Sequence, residues 1–174
     1  MFERFFAGVG MLLWISFFGY SQAVPDSLAA VQIRGFELHY PAAWKTDRRG
    51  SGLVLFPEVI DNHASRDYQL SFVNETVGSS IDVRAYKDRH INQAKTVWKR
   101  YGITLEVQEE DTLRIAGLPA WKIICSEQPA NQVRIKYIWL YQGRAYRFEY
   151  TAPLETYDKY LEEIESVIGS VAIP

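Results

Sequence analysis

The stretch Gly143-Arg144-Ala145-Tyr146-Arg147-Phe148-Glu149-Tyr150-Thr151-Ala152-Pro153 sets three aromatics at every second position, with Arg147 and Glu149 between them. Successive side chains of a strand point to opposite faces, so the three rings share one face and the two charges the other. The ladder is either a surface on which a ligand stacks or a sheet face covered by other elements. The chain beyond Pro153 decides between them. There Leu154, Tyr157, Leu161, Ile164 and Ile168 recur at helical spacing, while Glu155, Asp158, Lys159, Glu162, Glu163 and Glu165 face outward. This predicts an amphipathic helix over residues 154–168, which must bury its stripe on something near it in sequence. The ladder is therefore read as the floor of a core, with the hydroxyls of Tyr146 and Tyr150 reaching its rim.

Working back from the ladder, Gln142-Gly143 supplies a tight turn, and "QVRIKYIWLYQ" before it is the hairpin partner. Val133, Ile135, Tyr137, Trp139 and Tyr141 alternate there with Arg134, Lys136, Ile138 and Leu140, so both faces become apolar toward the end. Such a strand is central and covered on both sides. "AGLPAWKIICSEQ" reads as a turn at Gly117 to Pro119 feeding another strand, and "ITLEVQEED" and "TLRIAG" read as two strands before it. Between Ser80 and Tyr101 the period changes: Val83, Tyr86, His90, Ile91, Ala94, Val97, Trp98 and Tyr101 recur at three- and four-residue steps. This predicts a helix over residues 80–101, capped by Ser79 or Ser80 and stopped by Gly102. Upstream, after a polar lead ending near Ala30, "GFELHYPAAWK", "GLVLFPE" and "YQLSFVNET" read as three consecutive antiparallel strands, with Trp44 dropping onto the core. A short tail strand, Val171 to Ile173, ends the chain. The sum is an α+β domain: an antiparallel sheet of about six to seven strands with two helices packed on it.

Composition sets the compartment and excludes a class of partner. The chain has 174 residues, 48% hydrophobic and 14% aromatic, with a net charge of −2. Lys and Arg are scattered, so nucleic acid has no electrostatic footprint. Phe5 to Tyr20 is a 16-residue apolar run followed by Ser21-Gln22-Ala23, small residues where a signal peptidase reads. Residues 1–23 are expected to be an export signal, cleaved after Ala23 or retained as an anchor, and residues 24–174 one domain in the periplasm or outside the cell. Membrane contact is expected only through the N-terminal segment, if it is uncleaved. The single cysteine, Cys125, shares a strand face with Trp121 and Ile123 and is read as a buried small hydrophobe.

Four segments together resemble the PsbP-like family, which includes the extrinsic subunit of photosystem II and DcrB-type bacterial envelope lipoproteins. They are "HYPAAW", "IAGLPAWKI", "GRAYRFEYTA" and the ending "YDKYLEEIESVIGSVAI". The similarity runs from about Gln32 to Ile173 and is one of folding residues, without a catalytic signature. It implies an α/β/α sandwich around a central antiparallel sheet, and action by binding protein partners. Two departures matter. The lipid-bearing Cys of the DcrB type is missing, and nothing here matches the photosystem subunit's own binding residues.

Candidate chemistry is sparse. "DNHASRD" places Asp61, His63, Ser65 and Asp67 at alternate positions, yet a calcium loop would need Gly where Arg66 stands and Glu where Phe72 stands. His39 and His90 have no ligand partner at metal spacing. No phosphate loop, nucleophile elbow or zinc-protease motif is present. Asn74-Glu75-Thr76 is a glycosylation sequon, relevant only in a eukaryotic source. No catalytic, cofactor or metal residues are assigned. One local charge bias stands out: Glu155, Asp158, Glu162, Glu163 and Glu165, a candidate docking face for a basic envelope protein. The preferred reading is a non-enzymatic accessory protein of the cell envelope. Its rivals are a carrier of a lipid or other hydrophobic ligand between sheet and helix, and an exported enzyme, for which Cys125 with a histidine is the least poor site.

Overall fold

The computed structural model describes residues 27–49, 52–57, 67–78 and 80–174. The export segment and Asp61, His63 and Ser65 of the polar loop lie outside them. The elements run β1 (Leu28–Ile33), β2 (Phe36–Pro41), β3 (Lys45–Arg49), β4 (Gly52–Phe56), β5 (Gln69–Thr76), α1 (Val83–Arg100), β6 (Thr104–Ile115), β7 (Leu118–Gln128), β8 (Gln132–Tyr141), β9 (Arg144–Pro153) and α2 (Leu161–Gly169).

β3 to β9 form one antiparallel sheet of seven strands in the order β3-β4-β5-β9-β8-β7-β6. The aromatic strand β9 thus lies near the middle, held by β5 on one side and β8 on the other. The β8–β9 turn has Gln142 and Gly143 at φ of 48° and 71°, the left-handed pair a two-residue hairpin needs. Register puts Tyr146 opposite Trp139, and Phe148 between Tyr137 and Phe72. These rings are buried, and Trp139 stacks on both Tyr146 and Phe148 at 5.6 Å between centroids. Ile164, Val167 and Ile168 of α2 and Phe36 and Leu38 of β2 cover them. The ladder is core, as its alternation and the apolar stripe after it imply. On the opposite sheet face a second cluster joins Tyr86 and Ile91 of α1 to Ile123, Cys125, Ile138 and Ala145. The sheet is therefore a middle layer, with α1 on one side and α2 on the other.

Several expectations need correction. The β2 strand pairs with β1, a segment read as polar lead, and not with β4. Alternation disguises β1: only Ala29, Val31 and Ile33 turn inward. The β1–β2 hairpin lies outside the main sheet and shares the α2 layer, closed by reciprocal backbone bonds of 2.9 Å between Glu37 and Ala172. That single bridge is all that forms of the predicted tail strand. "ITLEVQEED" and "TLRIAG" make one strand, β6, with a bulge between Val107 and Glu109 that shifts the register. The turn residues before β7 are Ala116 and Gly117, both at positive φ, and Pro119 is already paired with Arg114.

The helix ends also move. Asp82, not Ser79 or Ser80, caps α1, its carboxylate accepting from Ala85 N at 2.8 Å. Its end meets the expectation: Gly102 N donates to Lys99 O and Ile103 N to Trp98 O, with Gly102 at φ 74°. Pro153 does not start the last helix but finishes β9, opposite Gln132. A turn and a 3-10 segment, Tyr157–Tyr160, precede α2 at Leu161. The chain there is pinned to the sheet, since Leu154 N donates to Asn131 O at 2.9 Å and the Tyr150 hydroxyl donates to Tyr157 O at 3.0 Å.

Burial makes a sharp prediction for the ladder. Phe148→Ala should cost about 3–5 kcal/mol in urea denaturation, because it removes a fully buried ring, whereas the exposed Leu154→Ala should cost under about 0.5 kcal/mol. Equal losses would show that the ladder is not the floor of the core.

Candidate functional site

The face of β9 opposite the rings carries Arg147 and Glu149, and β8 and β7 add Arg134, Lys136 and Glu127 to the same side. Read as strands, these residues look like a solvated face. In the fold α1 lies beside and over them, and Lys136 and Glu127 are 3% and 1% exposed. Glu149 accepts from Lys136 Nζ at 2.5 Å and from Arg134 Nη1 at 2.7 Å, and Arg147 Nε lies 3.3 Å from it. Arg134 also donates to both Glu127 oxygens, at 2.7 and 3.3 Å, and its guanidinium lies 5.3 Å from the Trp98 ring of α1. From α1, His90 Nε2 lies 3.4 Å from Lys136 Nζ, and the Tyr86 hydroxyl donates to Glu75 and accepts from Arg147 Nη1. Charged groups of four strands and two polar side chains of α1 thus join in a single network.

Its titration reflects that pairing. Burial alone would raise the Glu149 carboxyl, but Lys136, Arg134 and Arg147 outweigh it and hold the group down at about 2. His90 is pushed down to about 3, first by burial and then by Arg147 and Lys136, so it is neutral at ordinary pH. Burial also lowers Lys136, against the pull of Glu149. Carboxylates and cations here hold one another and tie α1 to the sheet. The network fits a positioning role better than a catalytic one, since its acids and bases are consumed by mutual contacts.

Cys125 lies one strand over, fully buried beneath α1, and burial pushes its thiol up to about 11. A protonated, covered thiol is a poor nucleophile. His39, at the other layer, contacts Glu37 at 3.1 Å. Among the described residues no group of His, Cys, Asp and Glu side chains could hold a metal ion, and no helix is long and apolar enough to cross a membrane. Asn74 of the sequon is buried and accepts from Arg144 Nη2 at 2.5 Å.

The acidic residues near α2 divide into two sets. Glu163 accepts from Trp44 Nε1 at 3.2 Å, and Glu165 pairs with Lys122 at 2.6 Å, so both serve the fold. Glu155, Asp158 and Glu162 are exposed, and none forms an ion pair with another described residue. The ion network, by contrast, is not foreseen from the sequence. Its one signal is the two-sided burial of β8, which turns Arg134 and Lys136 from surface residues into interior ones.

No family model matches the sequence, and no curated protein is similar to it in sequence. Solved structures are similar in fold. The cyanobacterial PsbP of Synechocystis sp. PCC 6803 superposes with a TM-score of 0.66 at 16% identity, covering 85% of this chain and 93% of that one. The Saccharomyces cerevisiae Ran-binding protein Mog1p gives 0.60 at 11% identity over 84% and 95% of the two chains. LpqN, involved in cell envelope biogenesis of Mycobacterium tuberculosis, gives 0.56 at 12% identity over 85% and 91%. The fold is PsbP-like: an antiparallel sheet with a helix on each face.

Two measurements check the site. His90 has its ionisation depressed in the folded state, so its stabilising contribution is complete above about 6.5 and is lost as the pH falls toward about 3. Glu149 behaves likewise, its contribution lost between about 4.5 and about 2. Between pH 6.5 and 4.5, stability should therefore fall by up to about 1.4 kcal/mol per pH unit more in the native sequence than in His90→Gln; identical pH profiles would show that His90 is not held neutral. Iodoacetamide should leave Cys125 unmodified in the native protein and label it once denaturant is added. Rapid native labelling would return the thiol to the set of candidate nucleophiles.

Proposed function

We propose that this chain, a PsbP-like domain by fold, is an exported accessory protein of the cell envelope that binds a protein partner and performs no chemistry of its own. Residues 1–23 direct export and residues 24–174 form the binding domain. The partner docks a basic surface on Glu155, Asp158 and Glu162. The observation that carries this is the division of the acidic side chains: Glu163 and Glu165 are engaged by Trp44 and Lys122, whereas these three are exposed without an ion-pair partner among the described residues. Unpaired rim charges steer and select a partner more than they stabilise a fold. The structural neighbours support the class of function. Mog1p is a Ran-binding protein, and LpqN is involved in envelope biogenesis. The interior adds to this, since Glu127, Arg134, Lys136 and Glu149 are paired with one another and its thiol is covered.

Affinity capture of the full chain, tagged at its C-terminus and reversibly crosslinked in cells, tests the reading. A reproducible envelope protein should be recovered with a mature chain beginning at Val24. Capture should drop at least about tenfold when Glu155, Asp158 and Glu162 are all changed to Lys, as expected for like-charge juxtaposition at a docking face. Recovery of the chain alone would contradict the accessory role. A partner retained in full by the triple variant would move the docking face elsewhere.

A further inference from the structure

The solvent side of α1 carries Arg84, Arg89, Lys95, Lys99 and Arg100, all exposed, against one acidic residue, Asp88. Asp88 is already engaged, by Lys87 at 2.9 Å. The other carboxylates near the helix are engaged too: Asp82 caps its first turn, Glu110 holds Lys87, and Glu75 takes the Tyr86 hydroxyl. None of the five cations has an ion-pair partner among the described residues. They spread over a helix of 18 residues, about 27 Å long, and are not gathered about a pocket. At its C-terminal end Tyr101 is 75% exposed and Val97 40% exposed, an aromatic and an aliphatic side chain beside Lys99 and Arg100. The unpaired acids Glu155, Asp158 and Glu162 belong to the layer on the other side of the sheet. These two sets of unpaired charges therefore form a dipole across the sheet, although the net charge is only −2.

We infer that α1 lays this basic face on an anionic phospholipid surface. Cations spread along about 27 Å of helix suit a diffuse negative plane better than a single carboxylate or phosphate group. Tyr101 is the kind of amphipathic ring that settles at the interface between headgroups and hydrocarbon. The dipole fixes orientation: with α1 against the bilayer, the acidic α2 layer points away from it, free for a protein partner. This contact is separate from any made by the apolar stretch Phe5–Tyr20, and it is electrostatic, so salt must weaken it.

The test uses the full chain and two vesicle preparations, one of phosphatidylcholine alone and one with 30% phosphatidylglycerol, in flotation assays over a salt series. Any contribution of Phe5–Tyr20 is common to both, so the readout is the ratio of binding to the two. At low salt, binding to the anionic vesicles should exceed that to the neutral ones by about tenfold or more, and the excess should vanish by about 0.5 M salt. Replacing Lys95, Lys99 and Arg100 by Gln should bring the ratio down toward parity, since each cation removed costs roughly a factor of five. Equal binding to both vesicles overturns the inference and leaves an acidic protein surface as the ligand of α1. So does an anionic preference that the triple variant keeps. The salt series on the native sequence decides the question even where the variant folds poorly.

Discussion

Everything in this fold leans on the pairing of Lys136 with Glu149 across the β8–β9 ladder. These two strands are at the centre of the sheet and are covered on both sides, so the residues between the aromatic rings are largely withdrawn from solvent. A carboxylate buried there would be protonated, or would disrupt the packing, without compensating cations. Lys136 and Arg134 supply them, and Arg134 in turn occupies Glu127. A buried pair of this kind adds little net stability compared with well-packed apolar residues. What it contributes here is direction. His90 and Tyr86 of α1 meet the network, and α1 is thereby held at one place on an otherwise apolar sheet face.

On the other face the rings of β8 and β9 do the same for α2 and the β1–β2 hairpin, through packing alone. Phe36 inserts its ring against Trp139 and Tyr146 at 5.7 and 4.7 Å, and Ser170 accepts from His39 N at 2.8 Å to tie the hairpin to the end of α2. Tyr137 Oη and Trp139 Nε1 end in this layer without an acceptor among the described residues. With both inner faces spent on holding the layers together, the outer faces of the two layers are what the fold offers to anything else.

Much of this is legible in the chain itself. The alternation of Tyr146, Phe148 and Tyr150, the two-sided burial of β8 and the helical spacing from Val83 to Trp98 each reflect one dominant periodicity, and the structure agrees with each. The misreadings have physical causes. β3, Lys-Thr-Asp-Arg-Arg, is an edge strand with no apolar residue to betray it, paired antiparallel to β4. Apolar spacing after Pro153 continues without interruption into α2, yet a backbone bond to Asn131 and the Tyr150 hydroxyl on Tyr157 O hold that segment out of the helix. The ion network is invisible for a different reason. Arg147 and Glu149 occupy the positions that a solvated face would fill, and only the tertiary placement of α1 makes them interior. In the acidic set, sequence cannot separate Glu163 and Glu165 from their neighbours, because Trp44 and Lys122 are 119 and 43 residues away in the chain.

The surfaces that remain are distributed by charge: cations on α1, acids beside α2. The proposed docking uses these outer faces, and carboxyl footprinting of the full chain, purified and within its native envelope, probes that most directly. Carbodiimide-driven labelling of the purified protein should modify Glu155, Asp158 and Glu162 readily and Glu163, which accepts from Trp44, more slowly. In the envelope the first three should become protected while exposed carboxylates of β6 such as Asp111 stay reactive. Unchanged labelling of Glu155, Asp158 and Glu162 in the two settings would contradict a docked acidic face.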